Sequence, residues 1–168
     1  DDPKRLAISQ GAFRFDELPK TPEQMTAKLQ RDIAALALMA GEEPEEPRWR
    51  YYLGDAHYVL GTHQSDADEA HRMKEVALHH FMQAAQAGAG WGELRSWAAF
   101  RAANIFMEAG EPRMAREVAG LGLSDRITPE LLWILAAGAL TAGDYPEAIK
   151  AATHCVAAGT FSGYGQTL

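Results

Sequence analysis

One stretch of the chain is rich in residues that could bind a metal ion. It contains, in order, His71, Glu75, His79 and His80. Imidazole and carboxylate groups together form a donor set that Zn²⁺ or Fe²⁺ accepts. Eight helical residues span about 12 Å, so one ion would not reach both His71 and His79. A site would need Glu75 and His79, completed by His57 or His63. A small helical metalloprotein is one hypothesis, and a solvated, charged helix face is the other.

A second pattern, Asp66-Ala67-Asp68, matches the Asp-x-Asp motif with which glycosyltransferases hold a metal ion and a nucleotide diphosphate. In those enzymes the motif ends a strand of an α/β domain. Here it lies in a polar segment before a strongly helical one, where aspartate is a good N-cap residue that also favours the helix dipole. We therefore expect helix capping here.

The remaining nucleophiles do not form a catalytic set. Cys155 follows His154, but neighbours in a helix point about 100° apart, and Cys155 falls on the apolar stripe of its segment. Ser124-Asp125 is typical of a turn. The chain has no Gly-rich phosphate loop, Gly-x-Ser-x-Gly or paired-Cys motif. The sequence thus predicts no catalytic residues, no metal site and no cofactor, and we expect a protein that binds and does not catalyse.

Composition limits the possible partners and compartments. The chain has 168 residues, a formal net charge of -7 and one cysteine. The charge argues against nucleic-acid binding, which needs surplus Lys and Arg. No apolar run approaches the roughly 20 residues of a membrane span, so we expect no membrane partner. A single cysteine is typical of a reducing, cytoplasmic location. The start at Asp1, without Met or a signal peptide, suggests a piece of a longer protein.

Helical periodicity between glycine and proline boundaries predicts seven helices and no strand. The predicted segments are approximately 22–40, 47–61, 69–86, 94–109, 112–122, 129–143 and 145–159. We expect residues 21–159 to form one all-α domain. Residues 1–20 are predicted to be an N-terminal arm or the remnant of a preceding domain, and residues 160–168 a frayed tail.

An internal repeat indicates how these helices stack. Gly61, Gly110 and Gly143 are each predicted to end a helix through a left-handed conformation, and the last two are 33 residues apart. The segment Gly143-Asp-Tyr-Pro-Glu-Ala-Ile resembles the turn of tetratricopeptide repeats, and Gly54 with Ala77-x3-Phe81 resembles their close helix contact. The resemblance covers roughly residues 47–158. It implies an antiparallel helix-pair α-solenoid.

Two departures accompany that resemblance. About 11 extra residues fall between Gly61 and Ala77, and we expect this Thr62–Met73 insertion to fold over one rim of the stack. The pieces Glu45-Glu46-Pro47, Tyr51-Tyr52-Leu53 to Gly61, and Gly88–Glu93 also look similar to the C-terminal repeat region of bacterial family 2 glycosyltransferases. That resemblance implies an accessory domain of a sugar-nucleotide-dependent enzyme.

The tetratricopeptide resemblance also implies a function. In such arrays the first helix of each pair lines a concave groove, and aromatic and Arg side chains there typically anchor a peptide or a partner helix. The residues that project onto this face are Arg48, Tyr51, Asp55, Tyr58, Trp97, Phe100, Arg101, Asn104, Glu130 and Trp133. We expect a scaffold that binds a protein or peptide. The weakly polar last helix also predicts possible homodimer formation through the C-terminal end.

Overall fold

The computed structural model describes residues 21–87 and 93–159, and these residues contain seven α-helices and no strand. The helices are α1 Pro22–Glu42, α2 Pro47–Thr62, α3 Ala67–Gln86, α4 Leu94–Glu108, α5 Pro112–Leu123, α6 Pro129–Thr141 and α7 Tyr145–Ala158. The all-α prediction is confirmed, and each predicted helix is present with its ends moved by a few residues at most. The predicted arm, the tail and the glycine-rich break at residues 88–92 lie outside the described residues.

The N-terminus of α1 is fixed by its own side chains. Thr21 Oγ1 accepts a hydrogen bond from Gln24 N at 3.3 Å, and Gln24 Oε1 accepts one from Thr21 N at 3.0 Å. This reciprocal pair is a capping box, which satisfies two backbone donors that a helix start leaves unbonded.

The Asp-x-Asp segment caps α3. Asp66 Oδ1 accepts hydrogen bonds from Asp68 N at 2.9 Å and from Glu69 N at 3.3 Å. Because this cap starts α3 at Ala67, most of the Thr62–Met73 insertion is helix. The expectation that the insertion folds over a rim is wrong, since its residues lengthen α3.

Two turns have the same geometry 33 residues apart, as predicted for Gly110 and Gly143. Gly110 and Gly143 both have φ +75°, the left-handed region that favours glycine. Glu111 N donates to Phe106 O at 2.8 Å, and Asp144 N donates to Ala139 O at 2.9 Å. This is the bond that closes a Schellman motif, so α4 and α6 end in the same way one repeat apart.

Gly61 has a different role from the one predicted. It lies inside α2, where a Cβ would stand 3.1 Å from Met73 Cβ and 3.3 Å from Ala70 O of α3. Gly54 is likewise in α2, and its Cβ would stand 2.8 Å from the Phe81 ring. The two glycines therefore let α2 and α3 approach closely. The expectation for Gly54 and Phe81 is confirmed. Helix α2 ends at Thr62, one residue after Gly61, but Gly61 does not have a positive φ, so the predicted left-handed conformation there is wrong.

The helices stack as antiparallel neighbours. Each packs mainly against the helix before and after it, and alternate helices α2, α4 and α6 also pack against one another. The contacts between α4 and α6 are the most extensive of this kind, and the odd-numbered helices α3 and α5 contact each other about as much as α2 and α4 do. We call the side of the stack on which α2, α4 and α6 contact one another in turn the inner face.

The core depends on small side chains. Fully buried residues at its centre are mostly alanines, with Phe81, Leu131 and Ile134 as the larger members. Alanine permits short distances between helix axes without losing helix propensity. A second, smaller cluster, around Leu29 and Leu60, joins α1 to α2. None of the helices in the described ranges is both long and apolar enough to cross a membrane.

Candidate functional site

Helices α2 and α4 are joined on the inner face by an ion pair. Arg101 Nη2 of α4 donates to Asp55 Oδ1 of α2 at 2.7 Å. The Arg101 guanidinium also lies over the Tyr58 ring, 5.9 Å from its centroid. The Arg101 side chain is 13% exposed and that of Asp55 37%. The pair is therefore shielded on one side and open on the other, which strengthens it relative to a surface pair.

A second set of contacts extends this connection toward the helix ends. The Tyr58 hydroxyl donates to Glu108 Oε1 at 2.8 Å, and Lys74 Nζ contacts Glu108 Oε2 at 2.6 Å. Burial, together with donation to the Glu108 carboxylate, raises the pKa of Tyr58 to about 12. We call Asp55, Tyr58, Lys74, Arg101 and Glu108 the α2–α4 network.

Aromatic rings continue the inner face in the other direction. The Tyr51 ring centroid is 5.7 Å from that of Phe81 and 6.4 Å from that of Trp97. Tyr52 stands edge-on to Tyr51, with the ring centroids 5.7 Å apart. Burial raises the pKa of Tyr51. Tyr51 thus packs against the core, and both Tyr51 and Trp97 are only partly buried.

The α2–α4 network borders two open clefts. One, of about 450 Å³, lies between α1 and α2, and its lining includes Asp32, Leu36, Tyr52 and Asp55. The other, of about 420 Å³, lies mainly between α3 and α4. Its lining includes Lys74, Leu78, Phe106 and Glu108. Each cleft therefore combines apolar surface with a carboxylate of the network.

The other predicted groove residues are dispersed. Arg48 forms an ion pair with Glu46, with 2.9 Å between Arg48 Nη2 and Glu46 Oε2. Phe100 packs against the core. Asn104 is partly buried, and its Nδ2 has no hydrogen-bond partner among the described residues. Glu130 is only 5% exposed, so it offers no surface, whereas Trp133 is 47% exposed on α6. The structure thus joins Tyr51, Asp55, Tyr58, Trp97 and Arg101 and leaves the rest apart.

The histidine-rich stretch does not form a metal site in the described part of the chain. His71 Nε2 lies 3.4 Å from Glu75 Oε1 on an exposed face. No group of three His, Cys, Asp or Glu residues within 21–87 and 93–159 is placed to hold an ion. The arrangement therefore favours the solvated helix face.

A histidine pair that the sequence analysis did not single out lies between α2 and α3. The rings of His57 and His80 stack with centroids 5.8 Å apart, and the Nδ1 atom of each is buried without a hydrogen-bond partner in the described structure. Burial lowers the pKa of His57. Burial and the nearby His57 lower the pKa of His80 to about 4. The pair is therefore neutral at neutral pH.

Cys155 is partly buried on α7. Its Sγ lies 3.3 Å from Pro129 O, and burial raises the pKa of its thiol. A raised pKa disfavours the reactive thiolate. This placement agrees with the prediction of a packing residue.

Sequence reasoning missed Lys74 and Glu108. Lys74 lies on α3 and Glu108 at the end of α4, and their contact joins residues 34 positions apart. The one sequence signal was a lone acidic residue just before a helix-ending glycine, which also occurs on many solvated helix ends. Their pairing becomes visible only once the register of α3 against α4 is known.

Comparisons with known proteins do not identify a family. No model of a known protein family matches the chain, and a search of curated protein sequences found no significant match. The conclusions on function therefore rest on the fold and on the chemistry of the inner face.

Proposed function

We propose that this chain is a tetratricopeptide-like helical-repeat scaffold that binds a segment of a partner protein along its inner face. The observation that supports the proposal most is the α2–α4 network, bordered by Tyr51 and Trp97. It places aromatic rings, an arginine and two part-exposed carboxylates on the side where alternate helices converge. Aromatic and Arg side chains dominate the binding energy of protein interfaces.

The charges favour a basic partner segment. Asp55 and Glu108 are paired with Arg101 and Lys74, but their side chains remain 37% and 38% exposed, and each borders a cleft with apolar walls. A Lys or Arg side chain can lay its methylene stem on such a wall and bring its charge to the carboxylate. The net charge of -7 would also steer a basic segment toward the chain.

The contacts within the network favour a surface that exists before the partner arrives. The Asp55–Arg101 and Tyr58–Glu108 hydrogen bonds fix the conformations of these four side chains in the free protein. Without these bonds, the side chains would lose their conformational freedom only when the partner binds. Each rotamer-rich side chain that is already ordered spares about 0.5–1.5 kcal/mol of binding free energy.

Selection from a random peptide library against the complete chain tests the proposal. Recovered peptides should combine basic and apolar residues, and their affinity should fall with rising salt. Asp55→Asn and Glu108→Gln should each weaken binding about three- to tenfold, since each removes one charge and keeps the side-chain shape. Glu117→Gln, on an exposed position of α5, is the matched control and should bind as the wild type does. Equal effects of all three variants on peptide affinity would count against peptide binding at the inner face.

The glycosyltransferase resemblance is a separate proposal, and no contact within the described residues favours it. Its Glu45-Glu46-Pro47 segment is a turn in which Glu46 Oε1 accepts a hydrogen bond from Arg48 N at 3.1 Å, a function that any helix start could use. An α/β domain encoded in the same reading frame would support this proposal.

A further inference from the structure

We propose that two copies of this chain associate through the outer face of the last helix pair, α6 and α7. This helix pair carries five large exposed apolar side chains, and the proposal does not depend on the inner face. They are Trp133, Leu140, Tyr145, Ile149 and Val156, exposed by 47, 59, 63, 68 and 82%. Nine exposed side chains of this kind occur in the described ranges, so more than half of them lie on one helix pair. Such a concentration marks an interaction surface.

The 33-residue repeat indicates what kind of element packs on this face. A shift of 33 residues, the distance between Gly110 and Gly143, places Tyr145 and Ile149 on Pro112 and Arg116 of α5. One repeat earlier, these two positions support the next helix. A Cβ on Gly138 of α6 would stand 2.8 Å from Arg116 Cγ and 3.1 Å from Pro112 O. The corresponding surface of α7 is therefore expected to pack against a further helix.

The same shift applies to the other positions of the two helices. Ala152 corresponds to Ala119, which is fully buried, and Val156 corresponds to Leu123, which packs against the core. On α6, Trp133 and Leu140 correspond to Phe100 and Met107, both packed against the core. Positions that are covered in one repeat are therefore exposed in the next, and the natural occupant is another helix.

A second copy supplies such a helix with matching side chains. Tyr145, Ile149, Ala152 and Val156 follow at intervals of four, three and four residues, so they share one face of α7. In an antiparallel crossing of two α7 helices, Ile149 of one copy meets Ala152 of the other, and Tyr145 meets Val156. The stripe contains no charged residue, and the adjacent Lys150 contacts Glu147 of the same helix at 3.6 Å.

Self-complementarity favours a closed two-fold dimer over a polymer. The same patch serves both copies, which is the arrangement of most soluble homodimers. A head-to-tail contact would instead join α7 to the far end of the stack, where Leu38 of α1 is exposed. One helix pair gives a small interface, so we expect a dissociation constant on the order of 1–100 μM.

Sedimentation velocity on the complete 168-residue chain, from low micromolar to several hundred micromolar, tests this proposal. The wild type should change from monomer to dimer over this range, and nothing larger should form. Ile149→Glu should stay monomeric with an unchanged circular dichroism melt, because the residue is exposed in the monomer. Leu38→Glu is the matched control at the opposite end and should dimerise normally. A wild type that stays monomeric throughout, or an Ile149→Glu variant that still dimerises, would overturn the proposal.

Single-cysteine cross-linking separates the two-fold dimer from a head-to-tail polymer. In a Cys155→Ser background, Ala152→Cys should form a disulfide-linked dimer on oxidation, because the two copies of residue 152 lie near the two-fold axis. Ala34→Cys on α1 should not. If Leu38→Glu abolishes association and Ala152→Cys gives no cross-link, the copies associate head to tail and the two-fold proposal is wrong.

Discussion

At the scale of single residues, Arg101 joins α4 to α2 through two contacts. It pairs with Asp55, stacks over Tyr58 and joins α4 to a helix that is not its neighbour in sequence. Its planar guanidinium can pair with a carboxylate at its edge while its face lies over an aromatic ring. We therefore regard Arg101 as the residue that sets the spacing of α2 and α4 on the inner face.

Arg101→Met should lower the free energy of unfolding by about 1–2 kcal/mol, since it removes a partly buried charged hydrogen bond and a cation–π contact. Urea unfolding followed by circular dichroism measures this. Arg113→Met, at an exposed pair within α5, should cost less than about 0.5 kcal/mol. A double-mutant cycle with Asp55→Asn should give a coupling near 1 kcal/mol, and zero coupling would show that the pair is incidental.

The His57–His80 pair predicts an acid sensitivity. The pKa of His80 is about 4 in the folded chain, with Arg50, His57 and His79 as its charged or titratable neighbours. Above the ordinary pKa of about 6.5, neither the folded nor the unfolded state is charged at His80, so pH has no effect through it. Between pH 6.5 and 4 the unfolded chain takes up a proton that the folded chain refuses, and stability is lost.

We expect His80 to account for about 1–2 kcal/mol of this loss, after discounting for the solvent that reaches a half-buried ring. Thermal melts of wild type and His80→Gln between pH 7 and 4 measure it. The wild-type melting temperature should fall more steeply than that of His80→Gln, while His63→Gln, at an exposed histidine, should follow the wild type. Parallel curves for all three would contradict this assignment.

At the scale of elements, glycine positions separate helix ends from helix contacts. Gly110 has φ +75° at the end of α4, so Gly110→Ala should cost about 1 kcal/mol or more. Gly120 lies in α5 with nothing within 4 Å of where a Cβ would be, and Gly120→Ala should stabilise by about 0.5–1 kcal/mol. Chemical denaturation of the two variants measures the sign of each change in the free energy of unfolding. Stabilisation by Gly110→Ala would show that the turn does not need glycine.

A cap or a turn can be predicted from the sequence when the residues that determine it lie close together in the chain. The cap at Asp66 and the turns at Gly110 and Gly143 use residues at most five positions apart, and the sequence predicted all three. Gly61 was misassigned because a glycine that ends a helix and one that admits a neighbouring helix look the same in a sequence.

The inner face was predictable only in part. Helical projection placed Asp55, Tyr58 and Arg101 on one side, because the period of 3.6 residues fixes which residues share a face. It also placed Glu130 there, although that side chain is almost fully buried. Projection gives the direction of a side chain within its helix, whereas burial depends on how deeply the next helix packs, which one sequence does not reveal.

At the scale of the whole molecule, the stack has contacts mostly between neighbouring helices. Its stability should therefore be graded along the chain, as it is in helical-repeat proteins. Native-state hydrogen exchange should give the highest opening free energies in α3, α4 and α5, the three central helices of the stack. Helix α7, which buries only Ala148 and Ala151, should exchange through smaller openings. Equal protection of α4 and α7 would show a single cooperative unit.

The most direct test of the binding account is the footprint of a selected peptide on the chain, measured by hydrogen exchange with and without peptide. The account predicts added protection in α2 and α4, centred on the turns that carry Tyr51, Asp55, Tyr58 and Arg101. Helix α5, on the opposite side of the stack, should be unchanged. Protection confined to α5, or to the α7 end face, would contradict the claim that the inner face binds the partner.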